Sequence, residues 1–149
     1  MIYLATDHAG FELKEEIKKF LVGEGYKVED FGALNLDPED DYPDFISKAA
    51  EAVSKDPQSK GIILGGSGQG EAIVANKFPN IRAAVYYGYE TQIPELTRQH
   101  NDSNILSLGA RFLSVNEALT AVKLFLETPF SNQERHVRRI EKIKNIESR

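Results

Sequence analysis

Three short stretches of this sequence gather side chains able to move protons or hold anions. They are Asp7-His8, Gly65-Gly-Ser-Gly-Gln-Gly-Glu71 and Gly109-Ala-Arg111. Gly65, Gly66, Gly68 and Gly70 let the backbone turn tightly and aim several N–H groups at one point, which suits an anion at a helix start. No Gly-Lys-Ser/Thr follows, so this is not a P-loop, and Glu71 stands where a dinucleotide loop would have its third glycine. An amide nest with a carboxylate on its rim fits an oxyanion site beside a general base. Each residue alone also has a plain structural role. The loop can be a bare turn, Glu71 can serve a helix dipole, Asp7 can cap a helix starting near Gly10, His8 can be structural and His100 can favour a helix C-terminus.

A second set of candidates is basic. Arg135 and Arg139 are four residues apart, hence on one helix face, where they can clamp a phosphate together with Arg111, or else form a salt-bridged surface. Arg138 lies on a neighbouring face. His8, His100 and His136 form a conceivable metal set but show no ligand spacing such as His-Glu-x-x-His, so no metal is assigned.

The elements that must position these residues follow from apolar periodicity. Ile2 to Ala5 is a short buried strand, and Leu13, Ile17, Phe20 and Leu21 mark a helix that stops at Gly23-Glu-Gly25. Tyr26 to Phe31 reads as a second strand, Gly32 to Tyr42 as an acidic, proline-bearing loop, and Phe45, Ala49 and Val53 as a helix. The alternation continues with strand 61–64, helix 71–77, strand 82–86, helix 90–100, strand 105–108 and a helix carrying Ala118, Leu119, Val122, Phe125 and Leu126. Strands alternating with helices predict an α/β fold, a single three-layer α/β/α Rossmann-like domain over residues 1–149 with about five parallel strands. Ligands of such sheets bind beyond the carboxyl ends of the strands, where all three loaded stretches fall. Two histidines, two carboxylates, Ser67 and the nest would then share one sheet edge. His100-Asn101, just before the fifth strand at the end of a helix, is the pair whose reach to that edge the fold must decide.

Composition narrows the function classes. In 149 residues, 18 Lys+Arg against 23 Asp+Glu give a net charge of −5, the wrong sign for a nucleic-acid module. No apolar run suits a spanning helix and no secretory leader is visible, so a cytoplasmic protein without membrane or nucleic-acid partners is expected. The absence of cysteine excludes disulfides, a thiolate nucleophile and thiolate-bound zinc. Residues 135–149 carry six basic and two acidic side chains, +4 against −9 for the rest. With Val137, Ile140, Ile143 and Ile146, this basic helix, at about 131–147, is expected to pack on the body or on a second subunit.

Asp7-His-Ala-Gly-Phe-Glu-Leu-Lys14, Asp41-Tyr-Pro43, the 65–71 loop, Ala75-Asn-Lys77, Arg98-Gln-His-Asn101 and Arg135-His136, in this order, resemble the ribose-5-phosphate isomerase B family, which includes galactose-6-phosphate isomerase subunits. The likeness covers essentially the whole chain. Many members carry a catalytic cysteine where Gly65 stands. The loop is similar to that of the cysteine-lacking branch, in which a glutamate at the position of Glu71 is the base.

The resemblance implies interconversion of ribose 5-phosphate and ribulose 5-phosphate in the non-oxidative pentose phosphate pathway. It implies no cofactor or metal, and a homodimer, or a tetramer built from dimers, whose active sites draw on both subunits. It assigns Glu71 as the base, His100 as proton donor for ring opening, Asp7 and Asn101 to sugar hydroxyls, and Tyr42 to the wall of the sugar site. Ser67 and the backbone of Gly66, Gly68, Gln69 and Gly70 would stabilise the enediolate oxygen, and His8, Arg111, Arg135 and Arg139 would bind phosphate. Chemistry keeps Asp7 open as an alternative base. Allose 6-phosphate or galactose 6-phosphate remain alternative substrates, and a non-catalytic sugar-phosphate-binding module remains an alternative function.

Overall fold

The computed structural model describes all 149 residues. Along the chain run β1 (Ile2–Thr6), α1 (Phe11–Gly23), β2 (Val28–Asp30), α2 (Tyr42–Lys55), β3 (Lys60–Gly65), α3 (Gln69–Ala75), β4 (Ala83–Tyr86), α4 (Ile93–Asn101), β5 (Ile105–Gly109), α5 (Val115–Glu127) and α6 (Glu134–Glu147). The five strands are all parallel, in the order β2-β1-β3-β5-β4.

Alternation along the central strands builds two cores. Leu4, Ile62, Leu64, Leu106 and Leu108 face α1 and α5, whereas Ala5, Ile63 and Ile105 face α2 and the end of α3. Strands buried on both faces read as continuous apolar runs, and Ile62-Ile-Leu64 is one. Leu13, Ile17 and Leu21 supply the buried stripe of α1. Lys14 shares that buried face, with its Nζ 2.5 Å from Asp30 at the end of β2.

Several boundaries move from the sequence reading. β2 is three residues rather than six, because only Val28–Asp30 pairs with β1. α3 begins at Gln69, before Glu71, since the Ala72 amide already donates to the Gly68 carbonyl. Asp7 caps a short 3-10 turn, His8–Gly10, that precedes α1, accepting from the Ala9 amide at 2.9 Å. The C-terminal helix starts at Glu134, and only its His136 is buried. Val137, Ile143 and Ile146 stay exposed, so the body of this chain does not cover the apolar face of α6. No helix is long and apolar enough to cross a membrane.

Candidate active site

From β1 the chain goes to β2 on one side and later to β3 on the other, so the sheet's switch point opens beyond Thr6 and Gly65. Thr6 Oγ1 donates to the Leu64 carbonyl across it at 3.0 Å. Gly68 adopts a left-handed φ of 79°, and the buried Ser107 hydroxyl holds the Gly68 carbonyl at 2.7 Å. Sequence reasoning missed Ser107, a strand serine with no marking motif. The Ser67 hydroxyl accepts from the Gln69 amide at 3.3 Å, leaving its proton free to donate.

Two side chains lie against the loop. Arg111, whose amide donates to the Gly66 carbonyl at 3.1 Å, is so close that a Cβ on Gly66 would sit 2.9 Å from Nη1. Tyr42 opens α2, and a Cβ on Gly70 would meet its Oη at 2.5 Å. Asp7, His8, Tyr42, Ser67, the loop glycines, Glu71 and Arg111 thus gather at one edge, as the sequence led one to expect.

Glu71 is 4% exposed, with its carboxylate turned back onto the end of β3. A Cβ on Gly65 would fall on that carboxyl group. Burial raises the pKa of Glu71, and the negative charge of nearby Asp7 adds to the rise, partly offset by the amides of Glu71 and Gly68. A buried carboxylate with a raised pKa is a stronger base than a solvated one.

His8 makes its bonds to a residue that sequence reasoning passed over. Asp40 Oδ1 accepts from the His8 amide at 3.0 Å and from Nδ1 at 2.7 Å. The Asp40 hydrogen bond raises the His8 pKa, with Asp7 reinforcing the rise and desolvation and Arg111 opposing it. The available signal was the acid density of residues 37–44, but five carboxylates without distinctive spacing single out none. Asp7, His8 and Asp40 offer three donor atoms within 4.8 Å, although His8 Nδ1 is already bonded to Asp40 Oδ1.

The second expected set lies elsewhere. α4 runs back from the carboxyl end of β4, so its last residues, His100 and Asn101, sit at the amino edge, just ahead of Ile105. Five-residue strands separate that edge from the nest by about 13 Å or more. Buried Arg98 fixes the end of α4 by donating to Asp102 at 2.8 Å, to the Ser103 carbonyl at 2.6 Å and to the Thr128 carbonyl at 3.1 Å. The His100 and His136 rings stack at 4.6 Å, and Arg135 and Arg139 lie close enough to lower the His136 pKa further, after desolvation. Within one chain, His100, Asn101, Arg135 and Arg139 therefore do not share an edge with Glu71, and the two arginines form no clamp with Arg111. The three histidines cannot meet on one metal, since His8 is at the far edge. Asn76, from another motif, is structural: it brackets the start of β4 with bonds of 2.8 and 3.1 Å to Ala83.

A doubly wound α/β domain with an amide nest, a buried carboxylate and scattered cations defines a phosphate-directed enzyme of acid–base type. The chain belongs to the ribose/galactose isomerase family, whose sequence profile matches residues 2–143. It is 46% identical over 140 residues to ribose-5-phosphate isomerase B of Mycolicibacterium paratuberculosis, covering 94% of this chain and 87% of that one. It also superposes with a TM-score of 0.94 on ribose-5-phosphate isomerase B from Mycoplasma genitalium with bound ribulose 5-phosphate, at 36% identity over 99% of this chain and 95% of that one. The enzyme from Clostridium thermocellum gives 0.92 and 43%, over 99% and 97%.

Proposed function

We propose that this chain interconverts D-ribose 5-phosphate and D-ribulose 5-phosphate, in the cytoplasm, where charge retains phosphorylated sugars. It is an aldose–ketose isomerase, and one observation carries the reading: the Glu71 carboxylate fills the space beside Gly65 at the mouth of the nest. In the open-chain aldose, Glu71 takes the proton from C2 as the electron pair moves onto the carbonyl oxygen of C1, giving an enediolate. Glu71 then returns its proton to C1, and the proton of the C2 hydroxyl passes to the oxygen on C1, leaving the ketone at C2. Ser67 and the amides of Gly66, Gly68, Gln69 and Gly70 stabilise the oxyanion, Asp7 holds sugar hydroxyls, and Tyr42 walls the sugar. His8 and Arg111 bind the phosphate.

A second copy of the chain completes the site with His100 to open the ring, Asn101 on a hydroxyl, and Arg135 and Arg139 on the phosphate. Support comes from the split of these groups between opposite edges. Unlike Arg138, neither Arg135 nor Arg139 has an ion-pair partner. Exposed Ile73, Tyr87, Phe112, Val137, Ile143 and Ile146 offer apolar surface for such an assembly.

Chelator-treated protein should turn over ribose 5-phosphate faster than allose 6-phosphate or galactose 6-phosphate. Turnover of a hexose phosphate alone would replace the substrate, and none at all would leave a binding module. Mixing Glu71→Gln and His100→Asn subunits, each inactive alone, should restore about a quarter of wild-type turnover through hybrids with one intact site. No recovery in proven hybrids would contradict the shared site.

A further inference from the structure

Residues 34–41 form an exposed loop, and Asp40 is the exception in it: its carboxylate side chain is 8% exposed. The two bonds to Asp40 Oδ1, from the His8 amide and Nδ1, are the only hydrogen bonds joining residues 34–40 to the body of the domain. Its second oxygen, Oδ2, is buried without a partner. A carboxylate so placed needs a counter-charge, and no lysine or arginine pairs with it, so a neutral His8 would leave it uncompensated.

The geometry points to Asp40 as a positioning residue of the phosphate site, one that orients His8 and ties the 34–41 loop to the phosphate of the substrate. Because a carboxylate only accepts, Nδ1 of His8 must be the donor, and the ring is held with Nε2 as its remaining nitrogen. Once protonated, Nε2–H donates to an anion. The charged groups facing the ring are Asp40, Asp7 with Oδ2 at 4.0 Å, and Arg111. Asp40 and a phosphate dianion both favour the imidazolium, so each strengthens the hold of the other on His8. The same loop runs directly into Tyr42, which rests on Gly70, so ordering of the loop by Asp40 reaches the sugar wall as well.

The inference rests on the reading of His8 as a phosphate ligand, and the test separates the two. Asp40→Asn keeps an oxygen able to accept both N–H bonds but removes the charge. Asp40→Ala removes both, and Glu39→Gln removes a neighbouring charge that makes no bond to His8. With ribose 5-phosphate as probe, Asp40→Asn should raise KM about tenfold at pH 8 while kcat changes less than about threefold. The pH at which KM begins to rise, and the NMR titration midpoint of the His8 ring in ligand-free protein, should both fall by about one unit. Asp40→Ala should in addition make the 34–41 loop exchange its amides faster, and Glu39→Gln should match the wild type. If His8→Gln raises KM but Asp40→Asn moves neither KM nor the His8 midpoint, the role of Asp40 is overturned and the phosphate assignment stands. If His8→Gln leaves KM unchanged, the phosphate assignment fails and takes the proposal with it.

Discussion

The carboxylate of Glu71 occupies the volume that a side chain on Gly65 would fill. Strand β3 ends at Gly65 and α3 begins four residues later, so the first turn of the helix can return its acid to the strand end. A base carried on the strand and a base carried on the helix are therefore alternatives for one point in space.

Gly65→Ala should fold, because the atoms in conflict are the flexible end of Glu71 and not backbone. The displaced carboxylate would lose its alignment, lowering kcat on the order of 10²–10⁴-fold, with a melting temperature close to wild type. Gly65→Cys combined with Glu71→Ala should recover part of that loss, now with sensitivity to iodoacetamide, as steady-state kinetics before and after alkylation would reveal.

Burial raises the folded-state pKa of Glu71, so the folded protein holds its proton more tightly than the unfolded chain does. Stability from this group is present below the ordinary carboxylate range and lost as pH rises through the raised value. Glu71→Gln should therefore melt higher than wild type at neutral pH and match it near pH 4, by thermal unfolding at both. A lower melting temperature at pH 7 would contradict the burial argument.

His136 behaves in the opposite sense. Desolvation, then Arg135, His100 and Arg139, lower its folded-state pKa, so the unfolded chain takes up the proton first and stability drops as pH falls through the ordinary histidine value. His136→Asn should flatten the loss of melting temperature between pH 7.5 and pH 5.5, measured by calorimetry.

Buried Lys14 and Asp30 hold the end of β2, where Asp30 also accepts from the Gly32 amide at 2.9 Å. Burial alone would raise the Asp30 pKa, but the bonds from Lys14, Gly32 and Lys18 bring it below the ordinary value. Lys14→Met should cost about 1–3 kcal/mol, because the carboxylate loses its main partner but keeps the Gly32 amide and Lys18, as read by urea unfolding.

The fold was readable from apolar periodicity because each buried strand meets a helix with a clear stripe, Leu13, Ile17 and Leu21 on α1 being one. Asp7, His8, the nest, Glu71 and Arg111 were readable through the carboxyl-end rule, which needs only strand positions. His100 and Asn101 were not, although a signal existed: residues just before a strand lie at its amino edge. The room Gly65 leaves for Glu71 depends on how a helix turn folds back on a strand, and the bond that His8 donates to Asp40 spans 32 residues. Neither leaves a local pattern.

The most direct measurement of the central claim is solvent-deuterium incorporation at C1 and C2 during turnover of ribose 5-phosphate in D2O, followed by NMR for wild type, Glu71→Gln and Asp7→Asn. With Glu71 as the base, Glu71→Gln still binds the sugar phosphate but slows exchange by 10² or more, and Asp7→Asn continues to exchange. Near-normal exchange by Glu71→Gln, with Asp7→Asn silent, would move the base to Asp7.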